Sequence, residues 1–146
     1  MGSALDRPTF YANGDINPAT FVQLDVGGTT QSQVKACAAS TSRILGVCQE
    51  GTEAAPTDGA STKAASNTNP EIRIFLDGET CMLTLGGTVV IGDWLTSDAN
   101  GNGISAALSG ANTDTAAKFY GAVALRSGNA TEKIEVLVRA GIVPLN

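Results

Sequence analysis

The stretch Asp98-Ala99-Asn100-Gly101-Asn102-Gly103 carries the clearest chemical signal in the chain. Its oxygen-bearing side chains at alternate positions match the opening of a calcium-binding loop, where that spacing lets a chain wrap a hard cation. The twelfth position, which must supply an acidic ligand, is Ser109, and a single carboxylate binds calcium weakly. The run reads better as a hairpin turn, because Asn-Gly pairs accept the left-handed backbone that tight turns need. No metal and no cofactor is expected. Asp93 and Asp98 form a pair of neighbouring carboxylates of the kind glycoside hydrolysis uses, but each stands at a turn and nothing marks a proton donor in an apolar pocket.

Other chemistry is poorly supplied. The chain has no histidine, which removes the usual acid/base side chain and the commonest metal ligand. No Gly-x-Ser-x-Gly elbow occurs, and Gly27-Gly28 and Gly86-Gly87 lack the context of a phosphate-binding loop. Cys37, Cys48 and Cys81 are odd in number and show no Cys-x-x-Cys spacing, so they read as small buried apolar residues in a chain made in a reducing cytoplasm. The residues point away from catalysis, and the chain is expected not to be an enzyme.

The bulk numbers agree with a binding or structural role. A length of 146 residues fits one domain. The net charge of −5, with no basic run, argues against nucleic acid as a partner. No apolar run approaches the roughly 18 residues that cross a bilayer. The first residues lack a basic stretch followed by an apolar one, so neither a membrane partner nor a secretory signal is expected.

The elements that would position these residues are strands. Gly87 to Gly103 reads as a short apolar strand, a Gly92-Asp93 corner, a second strand bearing Trp94, and the polar turn from Asp98 through Gly101. Trp94 is the only tryptophan in a chain poor in aromatics, and the core is expected to close over it. Val22-Gln23-Leu24-Asp25, Gln33 to Ala38, Arg43 to Cys48, Glu71 to Gly78, Cys81 to Leu85, Phe119 to Arg126 and Lys133 to Arg139 are further apolar or alternating runs bounded by turn residues. The expected fold is all-β, a compact barrel- or sandwich-like body of about nine short strands with long polar loops. Residues 50–70 are expected to form one long surface loop and residues 104–118 another, the latter with one helical turn from Asn112 to Lys118.

Residues 1–13 read as an extended N-terminal arm preceding a single β-rich domain over residues 14–146. In the arm, Arg7, Pro8, Phe10 and Tyr11 are the candidate contacts with a neighbouring chain, since aromatics dominate interface energetics. A weak internal repeat also shows. Phe21-Val22-Gln23-Leu24-Asp25 aligns with Trp94-Leu95-Thr96-Ser97-Asp98 at an offset of 73, and Leu45-Gly46-Val47 with Tyr120-Gly121-Ala122 at an offset of 75. Ile72-Arg73-Ile74 and Ile134-Glu135-Val136 follow as a third pair.

The run Val90-Ile91-Gly92-Asp93-Trp94-Leu95-Thr96-Ser97-Asp98-Ala99-Asn100-Gly101 resembles the "aGdlLtsDadG" stretch of tailed-phage capsid decoration, or cement, proteins. Ile44-Leu45-Gly46-Val47, Gly121-Ala122-Val123-Ala124-Leu125 and Ile134-Glu135-Val136-Leu137-Val138 match in the same order, so that the likeness spans most of residues 14–141. The resemblance implies a structural virion protein, a homotrimer on the outer surface of the head. There it would grip the major capsid protein, stabilise the expanded shell and carry no catalytic residues. A head-fibre base, a tail-associated β module and a glycan-binding β module are the alternatives.

Overall fold

The structure is a computed structural model that describes residues 9–28, 32–52, 62–106 and 118–143. Every regular element among them is a strand: β1 (Phe10–Ala12), β2 (Phe21–Leu24), β3 (Gln33–Ala36), β4 (Ile44–Cys48), β5 (Glu71–Ile72), β6 (Ile74–Phe75), β7 (Thr80–Thr84), β8 (Trp94–Ser97), β9 (Gly103–Ser105), β10 (Lys118–Ala124) and β11 (Lys133–Val143). They form a six-stranded sheet ordered β5-β1-β3-β2-β4-β6 and a five-stranded sheet ordered β7-β11-β10-β8-β9, stacked as a sandwich. No helix among the described residues is long and apolar enough to cross a membrane.

Period-two patterning builds the second sheet. In β11, Ile134, Val136 and Val138 are buried while Lys133 and Glu135 are exposed, so one face turns to the core and the other to water. Those inward residues meet Leu83, Leu85, Leu95 and Ala122 of their own sheet and Phe21, Ile44 and Val47 of the facing one. The first sheet has a second core on its other face, made by Phe10, Ile16, Val22, Val34, Cys48, Ile72 and Ile74. It can enclose that core because its two edge strands are consecutive. Only Arg73 separates β5, which pairs with β1, from β6, which pairs with β4. Gln49 pins the junction: its Nα donates to the Arg73 carbonyl at 2.9 Å and its Oε1 accepts the Arg73 amide at 3.0 Å. The sheet therefore curls around its own filling, although no ladder pairs β5 with β6.

The repeat reappears as wiring. The order β3-β2-β4-β6 in the first sheet and β9-β8-β10-β11 in the second follow the same path, all antiparallel. Each unit begins with an isolated bridge, Ile16 to Ala65 in the first and Val89 to Gly128 in the second. Each then turns a corner through a left-handed residue, Ala19 (φ +53°) or Gly92 (φ +90°). Each leading strand ends on an aspartate whose carboxylate accepts the amide two residues on: Gly27 to Asp25 at 3.0 Å, Asn100 to Asp98 at 2.8 Å.

Five expectations change. The described strands number eleven, because 71–76 divides at Arg73, the chain before Asn13 contributes β1, and Gly103–Ser105, at the start of the expected 104–118 loop, forms β9 against β8. The apolar run Thr88–Ile91 is not a strand; Val89 makes one bridge and Val90 and Ile91 enter the turn. The arm does not extend to residue 13, since β1 lies between β3 and β5 and Phe10 is buried in the inner core. Trp94 is half-buried and belongs to neither core. Alternation along β8 explains the last point: Leu95 faces inward, so Trp94 faces outward, and Phe21 is the aromatic that fills the space between the sheets. The helical turn at Asn112, the 107–117 part of its loop and the 53–61 part of the 50–70 loop lie outside the described residues; in the described part of the latter, Ala64 and Ala65 are not at the surface but buried in the inner core, bridged to Ile16.

Candidate assembly interface

The corner of the second unit is built by its own side chains. The Asp93 amide donates to the Val90 carbonyl at 3.0 Å, and the Val90 amide donates to Asp93 Oδ2, also at 3.0 Å. Gly92 supplies the left-handed residue this turn requires. The Ile91 amide is held by Ser127 Oγ at 2.9 Å. These bonds fix the turn while leaving the Val90 and Ile91 side chains 56% and 60% exposed. Apolar residues at the tip of a tight turn gain nothing from folding.

Asp98 works in the same way at the other end of β8. Its Oδ1 accepts the amides of Asn100 and Asn102 at 2.8 and 2.9 Å, so the carboxylate staples the turn. Among the described residues no group of three or more His, Cys, Asp or Glu is placed to hold a metal. Gly101, with φ +82°, brings its carbonyl onto the first sheet, where it accepts the Phe21 amide at 2.8 Å. A Cβ there would stand 3.1 Å from the Phe21 carbonyl oxygen. The turn of the second unit thus caps the corner of the first. Thr84 adds to the seam by donating its amide to the Ala19 carbonyl at 2.7 Å.

On the first unit, the turn after β2 carries Leu24, 49% exposed, and Val26, 98% exposed. They line an open groove of about 500 Å³ together with Lys35, Thr41, Arg43 and Leu45. Asp25 is drawn into local contacts: Asn13 Nδ2 donates to its Oδ2 at 2.6 Å, and this bond, with the Gly27 amide and Lys35, holds its carboxyl below the usual range. Arg43 makes no ion pair among the described residues.

Of the sequence candidates, Gly92, Asp93 and Trp94 stand together at the second corner, while Asp98 and Gly101 lie at the far end of β8 on the seam between sheets. Phe10 is turned into the inner core, and Tyr11, on the opposite side of β1, is 42% exposed. Arg7 and Pro8 lie outside the described residues. Trp94 packs against Tyr120 with ring centroids 4.4 Å apart and planes tilted by 58°. The exposed pairs Leu24/Val26 and Val90/Ile91 were not singled out from sequence. Their signal is positional: Val26 sits between Asp25 and Gly27, and Val90-Ile91 precedes Gly92-Asp93, in turns where polar residues are the rule.

All three cysteines are kept as thiols. Burial pushes Cys37 and Cys81 up to about 12 and raises Cys48 as well, which suppresses the nucleophilic thiolate.

No family model and no curated protein matches the chain. The architecture defines a class, a two-sheet all-β sandwich built from two units of related wiring. Among solved structures it is similar to the head fiber gp8.5 N base of bacteriophage phi29, with a TM-score of 0.58 over 90% of this chain and 92% of that one. Sequence identity is 10%, so the likeness is one of fold.

Proposed function

We propose that this chain is a structural protein of a tailed-phage virion that docks on the outer surface of the head and assembles with copies of itself. The observation that carries the reading is the fold shared, over nearly the whole of both chains, with a base that belongs to a phage head fiber. The decoration-protein resemblance of Val90 through Gly101 points to the same particle. In the finer form of the reading, a homotrimer bridges major capsid protein subunits and stabilises the expanded shell. Several modest contacts then add through multivalency, and binding only the expanded lattice favours that state by mass action. The protein holds neighbours together and transforms nothing.

Stripping the protein from heads and adding it back tests this. Bound chains should co-sediment with expanded heads, and heads that carry them should burst at a higher temperature than bare ones. Equal burst temperatures for decorated and bare heads would remove the stabilising role, and failure to co-sediment would remove head binding. A second reading, the base of a head fibre, is favoured by the identity of the structural neighbour. Imaging separates the two: a cement protein ends at its own density, whereas a fibre base carries an extension outward.

A further inference from the structure

The outer face of the second sheet is used by neither core. Val123 of β10 pairs with both Trp94 of β8 and Leu137 of β11, so the three side chains stand in one row across the sheet, on the side away from the core. Tyr120 joins them through its ring contact with Trp94. All four are half-buried. The first unit has the matching pair in Phe21 and Val47, and there the second unit covers both completely. Trp, Tyr and Arg dominate the energetics of contacts between chains, and Arg139 flanks this row.

Charge identifies what meets the face. On β11, Val136 and Val138 turn inward, so alternation puts Glu135, Leu137 and Arg139 together on the outer side. Glu135 and Arg139 are exposed and make no ion pair among the described residues. Four residues of strand, roughly 13 Å, keep them from pairing with each other. The apolar neighbours follow the same order. Because β10 runs against β11, Leu125 lies beside Glu135, and Tyr120 lies at the Arg139 end. The pattern is its own complement: a half turn about the Leu137–Val123–Trp94 row exchanges the Glu135–Leu125 end for the Arg139–Tyr120 end.

We infer that two copies meet face to face on this sheet about a two-fold axis along that row, with Arg139 of each copy against Glu135 of the other and Tyr120 of each against the other's Leu125. Both ion pairs and the apolar row form at once, which makes the contact isologous. An unrelated partner would have to present both charges at the same spacing, whereas a second copy presents them by symmetry. The inference rests on the self-assembly proposed above and names the surface responsible. Where the copies form trimers, it joins one trimer to the next.

Charge reversal tests it. Glu135→Arg sets two cations against each other across the contact and Arg139→Glu sets two anions. Each single variant should therefore weaken self-association by about tenfold or more in sedimentation, with unchanged circular dichroism. The double variant, Glu135→Arg with Arg139→Glu, restores both pairs in the reverse sense and should associate as the wild type does. Leu137→Cys, on the axis, should link to a second copy of itself under mild oxidation; the native thiols, two buried and one half-buried, give little background. If the wild-type protein is oligomeric but neither reversal weakens it, or the double variant is no better than the singles, the named face is wrong while self-assembly stands. A monomer at every concentration would overturn both the inference and self-assembly, leaving head binding to be judged by co-sedimentation.

Discussion

Ala19 and Gly92 occupy the same place in two copies of one structural unit, 73 positions apart, and both hold the backbone in its left-handed region. The angles differ in a way that matches the residues. Ala19 lies at φ +53°, inside the small left-handed well an L-residue can enter, whereas Gly92 at +90° lies beyond it. A Cβ at Gly92 would meet no atom within 4 Å, so a substitution there isolates the backbone term. Gly92→Ala should therefore cost about 1–2 kcal/mol, read as a lower urea midpoint at unchanged slope. A midpoint equal to wild type would show that the corner relaxes to another turn.

Phe21 and Trp94 head the leading strands of the two units, but only one of them sustains the core. Phe21 is fully buried between the sheets, and Phe21→Ala should cost about 3–5 kcal/mol through the cavity it leaves. Trp94 loses mainly its tilted ring contact with Tyr120 and part of its buried area, so Trp94→Ala should cost about 1–2 kcal/mol. Unfolding curves of both variants decide the order, and a larger loss at Trp94 would contradict the outward placement of β8's first residue.

Gly121 lies where β10 crosses the facing sheet. A Cβ added there would stand 2.5 Å from Ile44 Cγ2 and 2.8 Å from Phe21 Cε1, both in the core between the sheets. Gly121→Ala should destabilise by about 1–3 kcal/mol by overpacking. Thermal melting measures it, and a stabilised variant would mean that the sheets separate freely at this point.

The strands were legible in the sequence wherever alternation met a turn dipeptide, as in Ile134-Glu135-Val136 or Asp77-Gly78. The repeat was visible through Phe21/Trp94 and Gly46/Gly121, and the matched wiring of the two sheets follows it. Which face of β8 turns inward was not legible, because period two fixes that Trp94 and Leu95 point oppositely without saying which way. The arm was misread for a related reason. Phe10 and Tyr11 are successive residues of one strand, so one is core and the other surface, and β1's pairing with β3 and β5 spans long sequence separations that local pattern does not encode. The exposed turn residues were hidden by the same apolar content that made Thr88–Ile91 look like a strand.

The thiols set an alkaline limit on stability. In the unfolded chain a cysteine ionises at roughly pH 8.5, whereas burial holds Cys37 and Cys81 to about 12 in the folded protein. Below the unfolded value both states keep the proton, and the full contribution is present. Between that value and about 12 the unfolded chain releases protons that the native protein retains, so stability falls as pH rises, by about 1.4 kcal/mol per unit for the buried Cys37 and by less for the partly exposed Cys81, which solvent screens. Urea midpoints should decline from pH 8 to 10, and Cys37→Ala should show a shallower decline from a lower start. Identical slopes in the variant and the wild type would remove Cys37 from the account.

Truncation separates the arm from the body at a definite residue. The Ala12 amide donates to the Pro70 carbonyl at 2.7 Å, the Tyr11 amide to the Ser32 carbonyl at 3.0 Å, and Phe10 fills part of the inner core. Removing residues 1–9 leaves all of these in place, so that variant should melt within about 2 °C of wild type, equivalent to under 1 kcal/mol at this size. Removing residues 1–12 takes away the strand between β3 and β5 and a buried phenyl ring, and should cost about 3–5 kcal/mol or more. If the arm contacts a neighbouring chain on the head, the shorter truncation should weaken co-sedimentation while its melting curve stays put. Full attachment by that variant would confine docking to the β body.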